Sequence, residues 1–285
     1  MKKTQSILLG AHMSIGGGFT KAIERAESIG CTAIQIFTKS NRQWYAKPLQ
    51  KEEIELFKKT WKKSSIQSIV VHAAYLINIG SSQKELEHKS VNSLINELER
   101  CRDLSIPYLI LHPGSYSKTD EEKSVQQIAH NLDTALAAVD GKISILLETM
   151  AGQGNNFCSS FEQIAAIIKH SKHKNRLGAC LDTCHIFAAG YDFSTKQGYT
   201  AMWKQFDDTI GLNKLHAIHV NDSKTECGSR VDRHAHIGKG KIGLEGFRLL
   251  FNDKRFKHIP KILETPYETI EDYIPNLETI YSLIK

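Results

Sequence analysis

The sequence predicts an α/β protein folded as a (β/α)8 TIM barrel, on three observations. Short apolar runs alternate eight times with longer amphipathic segments, and units of that kind, joined by right-handed crossovers, make a parallel sheet that eight strands close into a barrel. The length, 285 residues, suits one barrel domain, so residues 1–285 are expected to form a single unit. Seven of the eight apolar runs carry an ionisable residue at or next to their last position, and barrels place their sites where the strands end.

The strand candidates are 6–12, 33–37, 68–72, 108–112, 143–148, 177–182, 215–220 and 261–264. All are short and continuously apolar, as strands covered on both faces must be. The helical patterns between and after them are 20–29, 51–63, 84–104, 121–139, 161–170, 200–210, 244–251 and 275–284. Gly30 and Gly211 stand where helices need a left-handed residue to end, and Ser160 with Gln163 has capping-box spacing. A doubly wound open sheet is the rival arrangement. Neither the G-x-G-x-x-G fingerprint nor the phosphate-binding loop that would favour its nucleotide-binding version is present.

Composition excludes several classes. Apolar residues make 41% and charged residues 24% of the chain, ordinary for a globular protein, and no apolar run is long enough to span a bilayer. The opening MKKTQSILLGAHMS lacks a small-residue cleavage site and is read as a first strand. Six cysteines, at 31, 101, 158, 180, 184 and 227, form no C-x-x-C pair. That argues against a disulfide scaffold or a zinc ribbon and for a reducing cytoplasm. Net charge is +6, which tolerates a polyanionic partner.

His12, His72, His112, Glu148, Asp182, His219 and Glu264 close their strand candidates, and His185, Asp222, Asp232 and His234 follow in adjoining loops. The stretch 215–238 alone holds four of the thirteen histidines. In an extended segment Asp232 and His234 share a face while Arg233 turns away. Imidazoles mixed with carboxylates favour zinc or a similar first-row metal over magnesium or calcium. Nine or so such residues can hold more than one ion, and paired ions are a common solution for cleaving phosphodiesters. A sugar isomerase barrel fits the topology but holds its metals mainly by carboxylates.

Seven blocks then narrow the field: HAAYLINIG at 72–80, LHPG at 111–114, ETMAGQG at 148–154, LDTCHIFAAGYD at 181–192, HVNDSK at 219–224, RVDRHAHIGKGKIG at 230–243 and ETP at 264–266. Together they resemble the endonuclease IV family of abasic-site DNA repair nucleases over nearly the whole chain. The resemblance implies three Zn2+ ions at the C-terminal face of the barrel. His72 and His112 would hold the first, and Glu148 would bridge it to a second held by Asp182, His219 and Glu264. His185, Asp232 and His234 would hold the third. Glu148, nearest the attacking water, is the residue the resemblance marks as catalytic.

It also implies that Arg42 of TKSNRQW and Tyr75 with Leu76 of HAAYLIN enter the duplex at the lesion. The implied activity is cleavage 5′ to abasic sites in double-stranded DNA, leaving a 3′-hydroxyl and a 5′-deoxyribose phosphate, together with clearing of blocked 3′ ends; a non-catalytic binder of damaged DNA is the third reading, and a cytoplasmic monomer is expected. His12 and His236 are expected to orient ligands from behind. His216 is expected to be structural. The tip at 224–229 and the helix around 169–175 are the less regular parts of the match.

Overall fold

The computed structural model describes residues 7–115 and 120–285. Eight parallel strands close a barrel: β1 (Leu9–Met13), β2 (Ala33–Ile36), β3 (Ser68–His72), β4 (Tyr108–Leu111), β5 (Ser144–Glu148), β6 (Leu177–Asp182), β7 (Leu215–His219) and β10 (Lys261–Leu263). Neighbours follow chain order, and β10 returns to β1 with Leu9 opposite Lys261. Outside the barrel, β8 (Asp222–Ser223) and β9 (His234–Ala235) pair antiparallel. The start of the first expected strand, at residue 6, lies outside the described residues, and the strand itself begins at Leu9 and runs one residue past the expected end, to Met13; the other seven expected strands lose at most one residue at either end.

The barrel's interior is filled by one small residue or branched aliphatic from each of seven strands: Ala33, Val70, Ile110, Leu146, Cys180, Ala217 and Ile262. Gly10 completes the circle in β1 because a Cβ there would lie 1.7 Å from the carbonyl oxygen of Ala33. The larger core lies between the strands and the surrounding helices.

That ring consists of α1 (Phe19–Ser28), α2 (Lys51–Lys63), α3 (Lys84–Leu104), α4 (Glu121–Ala137), α5 (Phe161–His170), α6 (Thr183–Ala189), α7 (Lys196–Thr209), α8 (Gly243–Asn252) and α9 (Ile274–Leu283). Gly30 and Gly211 take positive φ just past α1 and α7, as expected. Ser160 accepts from the Gln163 N–H, but the Gln163 side chain reaches the N–H of Ser159 and not that of Ser160, so only half of the expected capping box forms.

Two helices depart from the sequence expectation. The helix expected at 200–210 starts earlier, at Lys196, because Gly198 lets the Asp192 carbonyl approach where a Cβ would lie 2.2 Å away. Nothing in the sequence announced α6. It is buried almost all round, so it has no polar face to give a helical period. Among the described residues no helix is long and apolar enough to cross a membrane.

Candidate metal centre

One end of the barrel collects the charged residues. His72, Glu148, Asp182 and His219 are the last residues of β3, β5, β6 and β7, while His112 and Glu264 directly follow β4 and β10. His185 lies in the first turn of α6, whose N-terminus Asp182 caps by accepting the His185 N–H at 2.8 Å. Asp232 and His234 come from the β8–β9 hairpin. Their side chains meet at 3.1 Å while Arg233 is exposed, so the alternation expected from the sequence holds.

The nine side chains gather into three adjoining groups: His72, His112 and Glu148; Glu148, Asp182, His219 and Glu264; and His185, Asp232 and His234. Within each group the donor atoms lie within 4.8 Å of one another, and Glu148 belongs to two groups. Its Oε2 is 3.0 Å from His112 and 3.3 Å from His72, and its Oε1 is 2.9 Å from His219. The donor sets suit a borderline first-row cation.

A further sign separates the third group from an ordinary ion-pair network. Nε2 of His185 and Nε2 of His234 each lie 3.1 Å from an oxygen of Asp232, yet neither nitrogen makes a hydrogen bond. Atoms that crowd together off their bonding axes are arranged around a shared centre, as the ligands of one cation are.

The imidazoles are aimed from behind. Nδ1 of His72, His185 and His234 donates to the carbonyls of Ala73, Thr149 and Glu264 at 2.7, 2.8 and 3.0 Å. That leaves each Nε2 with its lone pair turned into the pocket. His219 is reversed: its Nε2 donates to Gln35 at 2.7 Å, and Nδ1 faces the carboxylates.

Gln35 and Asn221 escaped the sequence reading. Gln35 also donates to Glu264 at 2.6 Å and meets His12 at 2.9 Å, and Asn221 holds Asp182 at 2.7 Å while accepting the Glu264 N–H at 2.9 Å. A neutral amide amid histidines carries no charge pattern. The signal available was position, since Gln35 is the one polar residue of β2 and β2 was the only strand lacking an ionisable end.

Burial alone would drive these groups neutral, and their neighbours decide otherwise. Glu148 is desolvated, yet His219 and His112 hold its carboxyl well below the usual range. Desolvation likewise opposes the charge on His185, His219 and His234, but the carboxylates win. The Asp232 carboxylate beside it helps push His234 up to about 9, Asp182 helps raise His185, and Glu148 and Glu264 help raise His219, both well above an ordinary imidazole. Without cations the pocket therefore holds Glu148 ionised and balances it with protons on the surrounding imidazoles. His12, buried behind the cluster, has its pKa lowered by desolvation, consistent with a neutral orienting role.

Other expected residues fall outside the cluster. Asp222 is fully buried and accepts four N–H bonds, from Ser223, Gly238, Gly240 and Ile242, at 2.8–3.0 Å. It folds the loop after His234, and Gly240 is required there because a Cβ would lie 2.4 Å from its oxygen. His236 was expected to orient a ligand. It is exposed and its hydrogen-bond partner is Asn276 of α9, so among the described residues it supports none of the nine. His216 is passed over at a bulge, where Leu215 and Ala217 oppose the consecutive residues Ala179 and Cys180, and it stacks on Tyr108 with ring centroids 5.0 Å apart. A thiol also approaches: the Cys184 sulfur comes within 4.8 Å of donor atoms of Asp182 and His234, with burial pushing it up to about 12.

Tyr75 is 57% exposed, with its ring 5.1 Å from that of His72 and 5.8 Å from that of His112. Leu76 is half-buried beside it, and Arg42 is exposed in the loop between β2 and α2.

Comparisons place this geometry. Residues 23–283 match the model of a family described as the xylose isomerase-like TIM barrel, a fold that sugar isomerases share. A probable endonuclease 4 of Chloroflexus aggregans is 46% identical over 278 residues, 97% of each chain, and one of Geobacter sulfurreducens is 44% identical over 97% of this chain and 94% of its own. Among solved structures, endonuclease IV from Thermus thermophilus superposes with a TM-score of 0.86 at 37% identity, covering 96% of this chain and 98% of that one. With full-length identity at this level and the expected residue type at all nine candidate metal positions, the chain belongs to the endonuclease IV family.

Proposed function

We propose that the protein is a metal-dependent DNA repair hydrolase that cuts duplex DNA 5′ to abasic sites, leaves a 3′-hydroxyl and a 5′-deoxyribose phosphate, and trims blocked 3′ ends. The observation that carries the reading is the convergence of five imidazoles and four carboxylates into three adjoining donor groups at the mouth of the barrel. His72, His112 and Glu148 would hold one zinc, Glu148, Asp182, His219 and Glu264 a second, and His185, Asp232 and His234 a third. Cations in these places would supply Lewis acidity toward a phosphodiester and an activated water.

The chain's own residues do the rest. Glu148, fully buried and shared between two groups, sits where a proton leaving an attacking water would be received. Gln35, Asn221 and the carbonyls behind the imidazoles fix donor directions beforehand, so little reorganisation is needed when the substrate arrives. Tyr75 and Leu76, on the rim above His72, and Arg42 on the preceding loop fill the space of a turned-out nucleotide. An abasic nucleotide has no base to unstack, which lowers the cost of that step. The whole candidate site comes from one chain, which supports a working monomer, and the free buried cysteines suit the cytoplasm.

The test pairs metal analysis of the purified protein with nicking of a duplex carrying one tetrahydrofuran abasic analogue. Close to three zinc ions per chain and loss of nicking on chelation, restored by zinc, are expected. Full activity in a metal-free sample would sink the metal reading, and bound but uncut duplex in a single turnover would favour a damaged-DNA binder. Arg42→Ala and Tyr75→Ala should each weaken abasic-duplex binding roughly ten- to hundred-fold. Metal content and binding to intact duplex should change little.

A further inference from the structure

A polar stripe runs down the buried side of α3. Ser90, Ser93, Glu97 and Arg100, spaced three, four and three residues apart, share one helical face and are all buried. An apolar residue at each position would be the ordinary solution for a packed helix. Here each polar group instead takes a backbone atom from the two loops that carry Arg42 and Tyr75.

In the loop after β2, Arg100 donates to the Thr38 carbonyl at 2.9 Å and to the Lys47 carbonyl at 2.7 Å, and Ser93 donates to the Trp44 carbonyl at 2.8 Å. Glu97 accepts from the Thr38 hydroxyl at 2.8 Å and pairs with Lys39 at 3.0 Å, both side chains only 1% exposed. Lys39 in turn donates to the Gln43 carbonyl at 2.8 Å, so the turn carrying Arg42 is held on both sides. In the loop after β3, the same Glu97 accepts the Ala74 N–H at 3.0 Å, and Ser90 accepts the Asn78 N–H at 2.9 Å. Those two bonds bracket Tyr75 and Leu76.

We infer that Ser90, Ser93, Glu97, Arg100 and Lys39 form a clamp that sets the Arg42 and Tyr75 loops relative to one another, making them positioning residues for lesion recognition. The inference rests on the reading of Arg42 and Tyr75 as duplex-contacting residues. A buried ion pair stabilises a fold little better than apolar groups of the same volume, so stability alone does not account for it. What apolar groups could not do is satisfy backbone donors and acceptors of two loops that lack secondary structure. Glu97 stands at the junction because, of the five clamp residues, it alone bonds both loops from α3.

The experiment measures binding of Glu97→Gln, Ser93→Ala, Arg42→Ala and Tyr75→Ala to abasic-analogue and intact duplex, with steady-state nicking, metal content and melting temperature. Glu97→Gln keeps the side chain's shape but leaves Lys39 without its counter-charge. Its preference for abasic over intact duplex is expected to fall about ten-fold or more, since a small misplacement of a binding group is costly. KM should rise well beyond the change in kcat, with metal content retained. Ser93→Ala, the milder variant, should move the same ratio in the same direction by a smaller factor, and it decides the matter if Glu97→Gln does not fold. A lowered melting temperature with unchanged preference, while Arg42→Ala and Tyr75→Ala do lose preference, overturns the clamp and leaves the duplex-contacting assignment standing. Unchanged preference in Arg42→Ala and Tyr75→Ala overturns that assignment and the clamp with it.

Discussion

The two ends of the barrel bury charge in opposite ways, and β10 with its flanking residue shows both within four positions. Lys261, at its start, is 1% exposed and donates to the Phe256 and Ile259 carbonyls at 2.6 and 3.0 Å. Glu264, just past its end, faces His219 at 3.2 Å and His12 at 3.8 Å in a cluster whose nitrogens are partly unsatisfied. At the closed end Lys261 finds its partners in the carbonyls of the loop just before it. At the open end the groups satisfy one another only through shared protons, which a cation can replace. The lesson is that burial of charge does not mark a site; convergence without saturation does.

The strongest way to break this comparison is to empty the centre of the open end. Glu148→Ala removes the residue shared by two donor groups and is expected to lower single-turnover nicking of abasic duplex by roughly a hundred- to a thousand-fold or more. A loss under about ten-fold would show that the convergence is not where catalysis resides. Gln35→Ala probes the layer behind it. Loss of the amide that aims His219 and Glu264 should weaken metal retention, read by chelator competition, by roughly ten- to hundred-fold. His236→Ala, outside the cluster, should leave it nearly unchanged, and equal losses in the two variants would contradict the ranking.

Proton accounting sharpens the same contrast. In the metal-free chain His234 is pushed up to about 9, so at pH 7.5 its imidazole carries a proton, and His185 and His219 are shifted in the same direction. Raised pKa values mean that their pairing stabilises the metal-free fold fully below pH 6.5, and that the His234 share is lost as pH rises through about 9. Metal needs the neutral rings, so its uptake should release protons at pH 7.5 and its apparent affinity should climb toward pH 9. Calorimetric titration in buffers of different ionisation enthalpy reads this directly; uptake enthalpies independent of buffer would refute it.

The smallest effect is expected at the closed end. Burial lowers Lys261 to about 8 from an ordinary 10.5, a penalty of roughly 3 kcal/mol on the charged form. The penalty is fully present below pH 8 and is relieved as pH rises toward 10.5, because the unfolded chain then binds the extra proton. Lys261→Met escapes it but strands two carbonyls, at about 1 kcal/mol each. The variant should therefore be as stable as the parent or slightly more so at pH 7, and lose ground to it by pH 10, while nicking abasic duplex at the parent rate. A pH-independent difference in denaturant unfolding would refute the assignment.

Much of the site was legible because its chemistry follows the fold's periodicity. Once eight apolar runs are aligned as strands, the residue ending each run must lie at one rim, and seven of those ends are ionisable. That Asp232 and His234 face the same way followed from strand alternation alone. Asp222 and His236 were harder, since both sit among true candidates with the right residue types. Only the path of the hairpin turns Asp222 back onto the N–H groups of its own loop and carries His236 out toward α9.

What the sequence determined by itself was periodic or compositional: the barrel, the rim, the mixed imidazole and carboxylate donors, and the family resemblance carried by seven local blocks. What tertiary structure decided was direction and partnership. Gln35 became the aiming residue for His219 because β2 and β7, separated in the barrel by β1 and β10, turn side chains 184 positions apart along the chain into the same mouth. The face of α3 became a clamp because the loops after β2 and β3 lie over it. Hydrogen-bond direction depends on where a second, distant backbone passes, and no spacing along one strand or helix carries that information.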